Sequence, residues 1–122
     1  MHKKEVNTQE MFDSIFEGIL EKKGKDIVSL DMRHIDNAVC EYFIICHGDS
    51  NTQVDAIADS VQDKVRENLN EKVWHKEGLN NSTWVLLDYS NIIVHIFQKE
   101  HRDFYKLEEL WGDAIITKIE DK

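Results

Sequence analysis

At 122 residues the chain has room for one hydrophobic core and not for two ordinary domains, so residues 1–122 are read as a single domain. A hydrophobic share of 41% with apolar runs no longer than about five residues points to a globular protein and away from a membrane-embedded or disordered one. Fifteen Lys and Arg against 24 Asp and Glu give a formal charge of −9, which opposes phosphate neutralisation, argues against direct binding of DNA or RNA, and suits a basic protein partner.

Met1–Val6 carries two lysines but leads into an acidic amphipathic segment, so a secreted or membrane-anchored chain is not expected and the cytoplasm is. From Asn7 the pattern is a helix start, with Asn7 as N-cap and Glu10 at capping-box spacing. Met11, Phe12, Ile15, Phe16, Ile19 and Leu20 form one apolar stripe, and Gly24 is the expected stop. Val28, Leu30 and Met32 then alternate as on a strand with one buried face. Arg33–Val39 is a polar connection. Tyr42–Cys46 is apolar without alternation, the pattern of a strand covered on both faces and central in a sheet. Cys40 and Cys46 flank that strand roughly 20 Å apart, beyond disulfide reach, and are read as reduced thiols.

His47–Gln53 is a polar turn in which Ser50 and Gln53 again have capping-box spacing, at the mouth of a helix with Val54, Ile57, Ala58, Val61, Val65 and Leu69 on one face. The turn has one glycine and no lysine, so it is not a phosphate loop of the known nucleotide-binding kind. A short strand is expected over Lys72–Lys76. Thr83–Tyr89, Ser90-Asn91 and Ile92–Phe97 read as a hairpin with a two-residue turn, in which asparagine is suited to positive φ. A last helix is predicted from Lys99 to Trp111, with Phe104, Leu107 and Trp111 on one stripe. Residues 114–122 form a tail, either a short helix or a loose end. The order α-β-β-α-β-β-β-α implies an α/β (α+β) domain in which helices pack on a mixed five-stranded β-sheet.

Catalytic patterns are missing where the chemistry would need them. The six histidines, at 2, 34, 47, 75, 95 and 101, have no zinc-site spacing, and neither a metal nor a cofactor is expected. His101-Arg102-Asp103 matches a kinase catalytic loop only in isolation. A nucleophile built from Cys46, His95 and Asp88 is conceivable on adjacent strands, but a cysteine inside an apolar run is usually buried and inert. The topology resembles a nucleotidyltransferase scaffold. Those enzymes hold magnesium on a pair of carboxylates, and here Asp88 stands alone.

The unusual feature is the density of aromatic, histidine and charged residues between Trp84 and Trp111. Period-2 alternation puts Trp84, Leu86 and Asp88 on one side of their strand and Val85, Leu87 and Tyr89 on the other. A tryptophan and an aspartate beside a leucine suit a patch that a partner covers, the indole as anchor and the carboxylate meeting a basic group. On the residues alone the alternative stays open, with Trp84 in the core and Asp88 merely ending a strand.

Trp84-Val-Leu-Leu-Asp88-Tyr89, Val94-His95-Ile-Phe97 and Arg102-Asp-Phe-Tyr105-Lys-Leu-Glu108-Glu-Leu-Trp111 closely resemble the ribosomal silencing factor family, also called Iojap or RsfS. The resemblance extends upstream through Asp26–Asp31, Tyr42–Cys46, Ser50-Asn51 and the helix bearing Val54, Ile57, Ala58 and Asp59, so it covers about residues 8–113. It implies a cytoplasmic factor, not an enzyme, that binds the large ribosomal subunit through its fourteenth ribosomal protein. By steric obstruction such a factor keeps the small subunit from joining and lowers translation when nutrients are scarce. Large-subunit maturation and a homodimeric free state are also associated with the family. Carried over by position, the partner surface includes Trp84, Leu86, Asp88 and Tyr89, with His95, Arg102 and Tyr105 contacting the partner or supporting that surface. Phe97, Leu107, Leu110 and Trp111 are expected in the core. Ser90-Asn91 stands where the family commonly has Gly-Asp, Cys40-Glu41 where it has Thr-Asp, and the proline often found before the Glu77-Gly78 turn is missing. A nucleotidyltransferase-like enzyme and a general protein-binding adaptor are the competing readings.

Overall fold

The computed structural model describes residues 7–110 and 112–119, and of Tyr105, Glu108 and Leu110 the backbone alone. The expected core position of Trp111 lies outside the described residues, and that of the Leu110 side chain does too. Helix α1 spans Thr8–Glu21, and its Asn7 cap accepts from the amides of Gln9 and Glu10 at 2.7 and 3.4 Å. It ends in a Schellman arrangement, with the Gly24 amide donating to Ile19 and that of Lys23 to Leu20. The left-handed residue is Lys23, at φ 60°, and Gly24 follows it at the expected stop. Gly24 is needed for space, because a Cβ there would lie 2.4 Å from Ile19 Cγ2.

Strands β1 (Lys25–Asp31) and β2 (Tyr42–Gly48) follow, then α2 (Asn51–Leu69), where Ser50 Oγ accepts from the Gln53 amide at 3.1 Å. Gln53 Oε1 reaches back to the Asp49 amide at 2.7 Å. Next come β3 (His75–Glu77), β4 (Trp84–Asp88) and β5 (Ile92–Gln98). Short helices α3 (Lys99–Tyr105) and α4 (Leu107–Leu110) lead to β6 (Ile115–Lys118). The sheet is mixed, in the order β3-β4-β5-β2-β1-β6, with β2 and β5 parallel and the other neighbours antiparallel. The apolar strand β2 lies inside it, as its lack of alternation predicts.

Four expectations need correction. The sheet has six strands and not five, because residues 115–118 of the tail pair with β1. The single helix from Lys99 to Trp111 is broken at Lys106, which turns left-handed at φ 48°. Phe104, placed on the apolar stripe, is 79% exposed. At the hairpin tip Ser90, not Asn91, takes the positive φ, at 76°. There the Asn91 amide donates to the Tyr89 carbonyl across Ser90, a γ-turn, while Asp88 Oδ1 accepts from the Ser90 amide at 2.7 Å.

Helices α1 and α2 cover one face of the sheet, burying Ile15, Ile19, Ile57 and Val61 against Ile44, Val85, Leu87 and Val94. Gly18 sits where the two helices touch, since a Cβ there would lie 2.7 Å from Val61 Cα and 3.0 Å from the Ser60 carbonyl. Gly18→Ala gains about 1 kcal/mol of helix propensity but forces two backbones apart, an overpacking cost of about 3 kcal/mol. The expected net result is a Tm lowered by roughly 5–10 °C in thermal unfolding, and an unchanged Tm would mean that the helices can separate freely. The opposite face carries a second apolar cluster of Val28, Leu30, Phe43, Ile45, Ile93 and Phe97, capped by Leu107 of α4 and by Met32.

Candidate docking surface

Strand register decides which side chains share this second face. Trp84 pairs with Phe97, Leu86 with His95 and Asp88 with Ile93. On the far side of β5, Phe43, Ile45 and His47 lie beside Ile93, His95 and Phe97. In β4, Val85 and Leu87 are fully buried under the helices, whereas Trp84, Leu86 and Asp88 are half-buried on the other face. The alternation read from the sequence is therefore observed. Trp84 and Leu86 form the margin of the second cluster, neither sealed in it nor free of it.

The Trp84 ring stacks on Phe97 at 4.9 Å with 26° between planes, and its Nε1–H donates to His95 Nδ1 at 3.1 Å. Beyond β4 the face continues onto β3, where His75 lies opposite Asp88 and Glu77 opposite Leu86. Both β3 side chains are exposed, and His75 Nε2 lies 2.8 Å from Glu77 Oε2. The arrangement is an aromatic and aliphatic pair with carboxylates on two sides, Asp88 and Glu77. Such a surface suits a partner that offers an apolar pocket rimmed by basic groups.

The remaining family-implied residues are distributed differently. Tyr89 points to the helix-covered side, as the alternation requires, and is 6% exposed with its hydroxyl unpaired among the described residues. Burial raises that hydroxyl above its ordinary pKa. His95 is buried beneath the row and not on its surface. Arg102 is also buried, with Nη1 at 2.9 Å from His47 Nδ1 and donating to the Lys25 carbonyl at 3.4 Å. It thereby joins α3 to the ends of β1 and β2, two strands away from Trp84. The Tyr105 side chain lies outside the described residues. Sequence reasoning missed Glu77, His75 and His47 as members of this face, since only the pairing of β3 with β4 and of β2 with β5 places them there.

The hypothetical Cys46–His95–Asp88 group does not assemble. Cys46 is buried in the helix-side cluster, and His95 and Asp88 belong to the other face. Burial pushes the Cys46 thiol up to about 12, and the Cys40 thiol, whose Sγ donates to the Tyr42 carbonyl, is likewise pushed up to about 12. Both cysteines are free. Among the described residues no three His, Cys, Asp or Glu side chains converge as metal ligands, and no helix is long and apolar enough to cross a membrane.

Burial lowers the His95 pKa from 6.5 to about 4 and that of His47 below its ordinary value, the latter with help from the Arg102 guanidinium. Both imidazoles therefore fold in the neutral form. Their contribution to stability is complete above about pH 6.5 and is lost as pH falls, because the unfolded chain binds protons that the folded chain refuses. For His95 alone the loss approaches about 3 kcal/mol near pH 4. Urea unfolding at pH 7 and pH 5 should show the decline, and His95→Phe should flatten it. An equally steep decline in that variant would place the titration elsewhere.

Residues 5–122 match the protein family described as "Ribosomal silencing factor during starvation", RsfS. The chain is similar to the ribosomal silencing factor RsfS of Bacillus subtilis, 43% identical over 100 residues, which cover 82% of this chain and 83% of that one. It is also similar to RsfS of Halalkalibacterium halodurans, 36% identical over 115 residues, which cover 94% and 97%. A crystal structure of a Chromobacterium violaceum protein superposes with a TM-score of 0.81 at 36% identity, covering 88% of each chain. A match across nearly the whole sequence, joined to a fold shared with a solved relative, shows that this chain belongs to the ribosomal silencing factor RsfS family.

Proposed function

We propose that the chain acts as a ribosomal silencing factor: it docks on the free large ribosomal subunit at the fourteenth ribosomal protein and, by occupying that ground, keeps the small subunit from joining. Translation is then repressed when nutrients are scarce. The carrying observation is the half-buried row Trp84–Leu86–Asp88, with its indole braced on Phe97 and His95 and with Glu77 beside Leu86 on the neighbouring strand. A net charge of −9 suits approach to a basic ribosomal protein and opposes binding to bare nucleic acid. The action is steric, on a nucleotidyltransferase-like scaffold used for docking and without catalysis. A cytoplasmic location, a homodimeric free state and a part in large-subunit maturation belong to the same reading.

Co-sedimentation of the purified protein with large subunits, small subunits and joined ribosomes tests it. Retention on free large subunits alone, together with slower subunit joining, is the expected result. Binding to basic proteins at large with no preference for large subunits would replace this reading with that of a general adaptor. Saturable binding of a nucleotide with magnesium would revive the enzyme.

A further inference from the structure

His95 is the unusual component of the docking face, because it is polar, 4% exposed, and enclosed by rings. Phe43 meets it edge-on at 4.7 Å, with Trp84 at 6.0 Å and Phe97 at 6.4 Å. The indole N–H is a donor only, so for the 3.1 Å contact with Trp84 the imidazole must present a bare lone pair at Nδ1. In the neutral ring the proton then sits on Nε2. Among the described residues Nε2 is buried with no hydrogen-bond partner.

A buried donor without an acceptor is costly, and a phenylalanine would fill much the same space without that cost. What the imidazole provides at this place is its one hydrogen bond, made to a side chain that reaches the surface when His95 does not. Stacking on Phe97 sets the tilt of the Trp84 plane. The bond to Nδ1 sets which edge of the indole turns inward. A side chain held in one orientation before docking loses less freedom when the partner arrives.

We infer that His95 is a positioning residue for docking: as the Nε2–H tautomer it holds the Trp84 indole by its N–H in the orientation the partner takes, without touching the partner. The inference rests on the docking function proposed above, and two independent measurements separate them. The first uses the free protein. Nitrogen NMR of the imidazole should show a bare Nδ1 and a protonated Nε2, and the Trp84 indole proton should exchange slowly with water. A proton on Nδ1 would overturn the inference whatever the protein binds.

The second measures affinity for purified large subunits in the wild type, His95→Phe, His95→Asn, Trp84→Phe and the double variant Trp84→Phe/His95→Phe, each checked for a cooperative thermal transition. His95→Phe should weaken binding roughly three- to tenfold, the size of one hydrogen bond. His95→Asn, whose Oδ1 can stand in for Nδ1, should restore most of it. In the Trp84→Phe background, where no indole N–H remains, His95→Phe should change nothing further. Equal losses in both backgrounds, or wild-type affinity in His95→Phe, would overturn the positioning role while leaving docking intact. Failure of the wild type to bind large subunits would remove the docking function itself, and the affinity part of the inference with it.

Discussion

Trp84→Ala is expected to lower affinity for free large subunits by roughly 30-fold or more, about 2 kcal/mol, the loss typical of a central aromatic anchor. The indole is the largest side chain of the row and is already ordered by Phe97 and His95, so its burial by a partner adds apolar contact at little further entropic cost. Truncation removes that contact and leaves a pit beside Leu86. The fold should survive, because Trp84 is half-buried at the cluster margin and the strand is carried by Val85 and Leu87 beneath it. Asp88→Lys should act differently. It reverses a charge and removes the acceptor for the Ser90 amide, so it should slow association and diminish the salt dependence of binding. Equilibrium sedimentation at two salt concentrations reads the salt dependence, and stopped-flow mixing with large subunits reads the association rate. Undiminished binding by a folded Trp84→Ala variant would move the docking site off this face.

The second large effect is expected from a residue with no side chain. Gly78, just after β3, has φ 87°, and a Cβ there would lie 2.0 Å from the Trp84 carbonyl oxygen. Nothing flexible can give way, since the obstacle is the backbone of β4. Gly78→Ala should therefore cost about 3 kcal/mol or more, combining a strained left-handed alanine with overpacking. A lowered urea midpoint at unchanged slope would register it. Gly112→Ala is the contrast, because among the described residues its Cβ would find nothing nearer than the Glu109 carbonyl oxygen at 4.0 Å, and it should be almost neutral. Equal stabilities of the two variants would mean that the β3–β4 connection moves aside. Because Gly78 abuts the carbonyl of Trp84 itself, partial unfolding at this point should also weaken docking.

Elements that bury a face were legible in the sequence; of those held by backbone pairing alone, β3 was expected over Lys72–Lys76 and lies at His75–Glu77, and β6 was not expected at all. The stripes of α1 and α2 and the unbroken run of β2 reflect what each covers, and periodicity records that. Strand β6 has all four side chains exposed, so nothing in Ile115–Lys118 alternates, and only its ladder to β1 defines it. The break at Lys106 is hidden because Phe104 and Leu107 keep helical spacing across it and no glycine marks the left-handed turn. On the candidate docking face, alternation in β4 separated Trp84, Leu86 and Asp88 from Tyr89. Similarity carried Tyr89 into the expected surface nonetheless, and the fold gives it to the opposite side. The proximity of Glu77 and His75 depends on inter-strand register, which one strand read alone cannot supply.

The parallel pairing at the centre of the sheet governs when the protein can begin to work. In that pair Tyr42 lies beside Ile92, 50 positions later in the chain, whereas the β4–β5 hairpin joins segments that are neighbours in sequence. A nascent chain that has made β1 and β2 holds Ile44 and Ile45 ready for a neighbour not yet synthesised. Closing so long a loop is slow compared with forming a hairpin, and the exposed strand is open to mispairing in the interval. Since β5 also supplies Phe97 and His95, the seat of Trp84 comes into being in the same event. The candidate docking face is thus completed only once β5 has been synthesised and paired with β2.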